Sequence, residues 1–134
     1  MTFIVLDTDV ASTSIRNRLS DRLRARLAGQ TACITFVTLG ELTKWTAIRD
    51  WGPRRLSDLD RWQAGVIVLP YDRAVCKTWG LVQARAQRRG RPRPVNDTWI
   101  AACCLVNDVP LATFNIKDFS DFAEHEGLRL FDVG

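Results

Sequence analysis

Four short apolar runs, each leading into a stretch of helical character, constrain this chain more than any other feature. "FIVL" (Phe3 to Leu6), "ACIT" (Ala32 to Thr35), "VIVLP" (Val66 to Pro70) and "PLAT" (Pro110 to Thr113) are continuous rather than alternating. Strands buried on both faces of a parallel sheet read this way. A polar helical stretch, roughly Ser12 to Ala28, follows the first run and ends at Gly29. "TLGELTKWTAI" follows the second, with Thr38 and Glu41 at the spacing of a capping box. "WGPRRLSDLDRWQA" predicts another helix after the Gly52-Pro53 break. Beyond the third run, Asp72 can cap a helix whose Val75, Trp79, Val82 and Ala86 share one face. Gly90 to Pro94 ends that helix, because two prolines and a glycine cannot continue it. The next opens at Asp97, with Ile100, Ala101, Cys104 and Leu105 on its apolar face, and "LRLF" (Leu128 to Phe131) closes the chain. Strands alternating with helices predict parallel βαβ units in a three-layer α/β/α sandwich, one domain over residues 1–134.

Charge and cysteine usage narrow the classes. No apolar run approaches the roughly 18 residues of a membrane helix, and "MTFIVLD" is too short and lacks the basic start of a signal peptide. A cytoplasmic protein is the expectation. The net charge of +4 suits a polyanionic partner without requiring one. Arginine dominates the basic residues and favours bidentate contact with phosphate, although a GC-rich genome produces the same bias. Cys33, Cys76, Cys103 and Cys104 form no C-x-x-C pair. Structural zinc is therefore not expected, and adjacent Cys103 and Cys104 read as small buried residues.

Ligands of an open parallel sheet bind beyond the carboxyl ends of its strands. Asp7 and Asp9 follow the first strand, Glu41 is expected in the first turn of the helix after the second, Asp97 opens the helix before the fourth, and Asn115 and Asp118 follow the fourth. If these ends point one way, carboxylates from distant parts of the chain converge, and such a set needs a cation among them. Oxygen donors without histidine or cysteine favour a hard ion, Mg²⁺ or Mn²⁺. One or two such ions could stabilise an in-line displacement at phosphorus. The stretch "RRGRPRPVNDTWIAACCL" sets arginines directly before Asp97. A phosphodiester backbone asks for both charges: metal at the scissile phosphate, and Arg85, Arg88, Arg89, Arg91 and Arg93 on flanking phosphates, positioning without reading sequence.

Simpler readings stand beside these. Asp7 could merely start a turn, Glu41 could complete a capping box with Thr38, and Asp97 could be a first-turn acid behind Asn96 as cap. The arginine run could be a solvated loop, and Arg16, Arg22, Arg24 and Arg26 a wet helix face. Trp45, Trp51 and Trp62 could stack bases or meet a partner, with core or dimer packing the default. Lone His125 receives no role.

In order and spacing, "FIVLDTDV", "TFVTLGELTKW", "VNDTWIAAC" and "LATFNIKDF" resemble the signature blocks of PIN domains, most of all those of VapC-type ribonuclease toxins of bacterial type II toxin–antitoxin pairs. The resemblance covers nearly the whole chain. It implies a metal-dependent endoribonuclease toxin that inhibits translation or growth, usually a homodimer, held inactive by a cognate antitoxin protein. The catalytic and metal-binding set it implies is Asp7, Glu41 and Asp97, completed by Asn115 or Asp118. Asp9 stands where many relatives have asparagine, and Asn115 where many have aspartate.

Two rival functions differ in class. "LDTDVAST" approaches the D-x-D-x-[TV] signature of haloacid-dehalogenase-type phosphatases, but position 11 is Ala and no cap domain fits the length. A catalytically inactive RNA- or partner-binding module would keep the basic surface with a decayed metal site, and the amide at Asn115 is its supporting feature.

Overall fold

The computed structural model describes residues 2–134. Strands β1 (Phe3–Leu6), β2 (Thr31–Thr35), β3 (Ile67–Leu69) and β4 (Leu111–Ala112) form one sheet in the order β3-β2-β1-β4. Every pairing is parallel, with Ile4 opposite Ala32, Leu6 opposite Ala112 and Ile34 opposite Val68. The helices are α1 (Thr8–Ile15), α2 (Asp21–Leu27), α3 (Phe36–Ile48), α4 (Pro53–Ala64), α5 (Arg73–Arg88), α6 (Val95–Asn107) and α7 (Ile116–Glu126).

The period-2 alternation of strand side chains divides the core into two layers. Ile4 and Leu6 of β1, with Ile34 and Ala112, pack against Val10 and Ala11 of α1 and Leu42 of α3. Val5, Cys33 and Leu111 point the other way, onto Val82 of α5, Ile100 and Cys104 of α6, and Phe119 and Phe122 of α7. This is the expected three-layer α/β/α sandwich, with β1 at its centre. Among the described residues no helix is long and apolar enough to cross a membrane.

Several local expectations need correction. The polar stretch from Ser12 to Ala28 is two helices, because Asn17 takes a left-handed conformation (φ 60°) and Ser20 caps a new start. The third apolar run is not a doubly buried strand: β3 lies at the sheet edge, with Ile67 42% and Val68 36% exposed. "LRLF" contributes only one bridge, Leu130 to Leu111. Helix α3 is capped by Thr35, whose hydroxyl accepts from the Thr38 amide at 3.3 Å, so Thr38 and Glu41 form no capping box. Helix α6 begins at Val95 with Pro94 as its cap residue, which puts Asp97 inside the first turn rather than at its start. The expected Asp72 cap is present, its carboxylate accepting from the Val75 amide at 2.8 Å.

Candidate active site

All four strands run the same way, so their carboxyl ends share one edge, and the pairing of β1 with the edge strand β4 builds the site there. The Asp7 amide donates to the Ala112 carbonyl at 2.9 Å, which seats Asp7 beside Thr113. Asp7 is 6% exposed and caps α1, with Oδ1 accepting from the Thr8 amide at 2.8 Å. Its Oδ2 accepts from the buried Thr113 hydroxyl at 2.7 Å. Cap and cluster member are thus one residue, and the turn-starting role does not compete with the site role.

Glu41 comes from the second turn of α3, and its Oε1 accepts from the Thr8 hydroxyl at 3.1 Å. Thr8 and Thr38 hydroxyls meet at 3.0 Å, linking the start of α1 to α3. Asp97 is held by its helix rather than by its own side chain, which has no hydrogen bond among the described residues. The neighbouring buried Thr98 donates to the Pro94 carbonyl at 2.7 Å and accepts from Gln83 of α5 at 2.7 Å, which fixes the start of α6.

Asp9 and Asn115 close the third side. Asp9 Oδ2 accepts from the Phe114 amide at 3.1 Å and the Asn115 side-chain amide at 3.0 Å, while Oδ1 accepts from the Val10 amide at 2.7 Å. The Asn115 backbone amide donates to the Thr113 hydroxyl at 3.0 Å, so one hydroxyl ties this turn to Asp7. Asn115 therefore directs its amide at Asp9, with its carbonyl oxygen remaining for a ligand. Asp118, in the first turn of α7, is exposed and lies within the electrostatic field of Asp7 and Asp97.

Each central carboxyl is harder to ionise than usual. Burial is the main cause for Asp7, opposed by the bonds from Thr113 and Thr8. Burial also raises Glu41, with repulsion from Asp7 added. Asp9, by burial and then Asp7, is pushed from 3.8 to about 6. Asp97, by burial and then Asp7, Asp118 and Glu41, also reaches about 6, with Arg93 pulling the other way. Acids from α6 and from the segments after β1, β2 and β4 thus act on one another.

Among the described residues no three His, Cys, Asp or Glu side chains stand close enough to cage an ion by themselves. The donor chemistry fits a hydrated ion better than a cage. Mg²⁺ keeps several waters and needs only one or two protein carboxylates beside substrate phosphate. One or two of Asp7, Glu41 and Asp97 could hold such an ion directly and the rest through its waters, with Asn115 or Asp118 beside them.

Proton linkage makes this arrangement measurable. Between 3.8 and about 6 the native state retains protons on Asp9 and Asp97 that the unfolded chain has released. Their contribution to stability is full below that window and is lost as pH rises through about 6. In chelator, the melting-temperature gap between wild type and an Asp97→Asn protein should widen from pH ~5 to pH ~7.5. Calorimetry at several pH values checks this, and a gap independent of pH would mean that Asp97 titrates normally.

The arginines before Asp97 divide. Arg85 donates to both carboxylate oxygens of Glu126, from Nη2 at 2.7 Å and Nε at 3.0 Å. Arg89 Nη2 donates to Asp121 Oδ2 at 2.7 Å, with the Asp121 side chain only 2% exposed. These two brace α5 against α7. Arg91 stands 3.8 Å from Asp121, and Arg93 donates weakly to carbonyls of its own loop. Arg88 is exposed and forms no ion pair among the described residues. The sequence reading missed the hydroxyls of Thr8 and Thr113. It also missed α7, signalled by Phe119 and Phe122 three apart and by Gly127 at its end (φ 79°).

A cleft of about 730 Å³ opens beside Glu41, walled by Thr8, Lys44, Trp45, Asn96 and Trp99. Phe36 packs edge-on against Trp99 at 5.7 Å, and Trp79 stacks behind Trp99 at 4.8 Å.

A family model described as the PIN domain matches residues 4–125. The tRNA(fMet)-specific endonuclease VapC of Shigella flexneri is 30% identical over 129 residues, 96% of this chain and 96% of that one. Ribonuclease VapC1 of Haemophilus influenzae (strain R2866) is 26% identical over 118 residues, 86% of this chain and 88% of that one. Among solved structures, DNA-bound VapBC from Salmonella typhimurium aligns with a TM-score of 0.84 at 25% identity, covering 100% of both chains. VapBC-1 from nontypeable Haemophilus influenzae aligns at 0.82 and 23% identity, covering 98% of both.

Proposed function

Because the chain belongs to the PIN-domain family and to its VapC-type branch, we propose that it is an endoribonuclease, dependent on Mg²⁺ or Mn²⁺, and the toxin of a toxin–antitoxin pair. Its partners on this reading are RNA, a cognate antitoxin protein and a second copy of itself, and its place of action is the cytoplasm. The observation that carries the reading is the convergence of Asp7 after β1, Glu41 in α3 and Asp97 in α6 near enough to repel one another.

We assign Asp7, Glu41 and Asp97 to holding the ion, with Asn115 or Asp118 as the fourth group. When bound, the ion supplies positive charge where negative charge builds on the scissile phosphate. Thr113 and the Thr8 amide each occupy one oxygen of Asp7 and so fix its plane. Thr8 likewise fixes Oε1 of Glu41, leaving Oε2 open. That oxygen and the unbonded carboxylate of Asp97 are the acceptors available to an attacking water. Burial removes competing solvent from Asp7, and the turn clamped by Asp9 holds Asn115 and Asp118 at the rim.

The test is cleavage of total cellular RNA by purified, antitoxin-free protein with Mn²⁺, with Mg²⁺ and with chelator. Discrete fragments that need the ion support the reading, whereas intact RNA in every lane from a folded protein refutes it. Thr113→Val tests the positioning role. Loss of a group that orients a ligand costs roughly 10–100-fold, and Asp7 would lose a bond that favours its ionised form. Cleavage should slow by that order and its acid limb should move to higher pH. An unchanged rate and profile would remove Thr113 from the machinery.

A further inference from the structure

A second groove lies between α1, α3 and α4, with a cavity of about 210 Å³ lined by Arg16, Arg18, Arg49, Arg55, Trp45 and Trp51. Its chemistry is the reverse of the acidic edge. None of the four arginines forms an ion pair among the described residues, whereas Arg85 and Arg89 are neutralised by α7. One carboxylate, Asp58, stands at the outer end and leans on Arg61 at 3.9 Å.

Two of the arginines are already stacked. Arg49 Cζ lies 4.4 Å from the centre of the Trp45 ring, and Arg55 Cζ lies 4.7 Å from that of Trp51. Each guanidinium lies over an indole face, and none of its N–H groups is hydrogen-bonded among the described residues. Planar donors of this kind suit phosphate oxygens, and aromatic faces nearby suit unpaired bases.

The groove is also continuous with the acidic cleft. Trp45 and Arg49 line both. Glu41, Lys44, Trp45 and Ile48 follow one another at helical spacing along one face of α3, and Arg49 ends it. The path from Glu41 to Arg49 covers about 12 Å at the usual helical rise, turning from carboxylate to cation along the way. A strand cut at the acids must continue past them, and this face offers it phosphate and base contacts in sequence.

We propose that the groove lined by Arg16, Arg18, Arg49, Arg55, Trp45 and Trp51 holds single-stranded RNA flanking the scissile phosphate. The inference rests on the endoribonuclease reading and gives that site its substrate path. It assigns the main backbone contacts to this groove rather than to the arginines before Asp97. An acidic protein segment is the competing occupant, but it has no use for the aromatic faces beside the arginines, which suit unpaired bases.

The experiment measures binding of a fluorescein-labelled oligouridylate by anisotropy over a range of KCl, in chelator and on an Asp97→Asn background, so that cleavage plays no part. Arg49→Gln with Arg55→Gln should weaken binding and flatten the logarithmic salt slope by about 1.4, two contacts at roughly 0.7 each for a single strand. Arg88→Gln with Arg91→Gln should change the slope less. Matching melting curves establish that both pairs fold. An unchanged slope in the groove variant, or no salt-sensitive binding by the parent protein, overturns the proposal. So does tighter binding of an oligoglutamate probe that depends on the same two arginines. Groove-dependent binding by a protein that cleaves nothing would instead fault the chemistry and leave the groove standing.

Discussion

Asp97→Asn is expected to lower RNA cleavage by on the order of a thousandfold, the upper range for losing one charge-stabilising group, while raising the melting temperature of the metal-free protein. Asparagine keeps the shape of the side chain, and Asp97 has no hydrogen bond among the described residues for the change to break. Its position in the first turn of α6 is a mild advantage for a negative charge, about 0.3–1 kcal/mol from the helix dipole. Burial and repulsion from Asp7, Asp118 and Glu41 win over that advantage, since the carboxyl is pushed from 3.8 to about 6. Removing the charge therefore relieves the native state at neutral pH and removes a ligand at the same stroke. Cleavage assays with Mn²⁺ and Mg²⁺, paired with melting curves in chelator, read both effects. Wild-type cleavage by the mutant would move the active site elsewhere. A fall in melting temperature would show that Asp97 is stabilised as an anion.

The second large effect concerns an arginine that sequence reading gave to RNA. Arg89→Met should destabilise the fold by about 3 kcal/mol, because removing one partner of a buried ion pair strands the other charge. Asp121 is almost wholly enclosed, and its Oδ1, like Nε of Arg89, already lacks a hydrogen-bond partner. The basic side chains left beside it, Arg91 at 3.8 Å and His125 at 3.9 Å, both stand beyond hydrogen-bond distance. Urea unfolding checks this, with Arg88→Gln as the exposed control expected within about 0.5 kcal/mol of wild type. Equal midpoints for Arg89→Met and wild type would mean that solvent reaches Asp121.

The site acids were legible because each follows a continuous apolar run or opens a helix, and parallel strands bring such ends together. Asp7 and Glu41 needed only that rule, whereas Asp97 enters from α6, which follows α5. The hydroxyls that orient them left no trace: Thr113 looks like any other threonine until Asp7 is placed 2.7 Å away, and Thr8 until Glu41 stands at 3.1 Å. The arginine pairings were hidden for a related reason. Arg85 and Arg89 meet Glu126 and Asp121 across more than thirty positions, beyond the reach of local periodicity. An edge strand and a buried one also share an apolar pattern, so β3 could not be told from β1 without the strand order.

The hydrogen bond from Thr113 to Asp7 spans 106 positions, and the clamp from Asp9 to Asn115 spans the same distance. Strand β1 has β2 on one side and β4 on the other, and only the β4 side brings the hydroxyl that orients Asp7. The segment from β1 to β2 therefore holds Asp7 with neither the neighbour that orients it nor the carboxylate of Asp97. Contacts of such long sequence separation form late in folding. The acids become a set only when β4 docks, so the site is a property of the finished sheet and of no fragment of it.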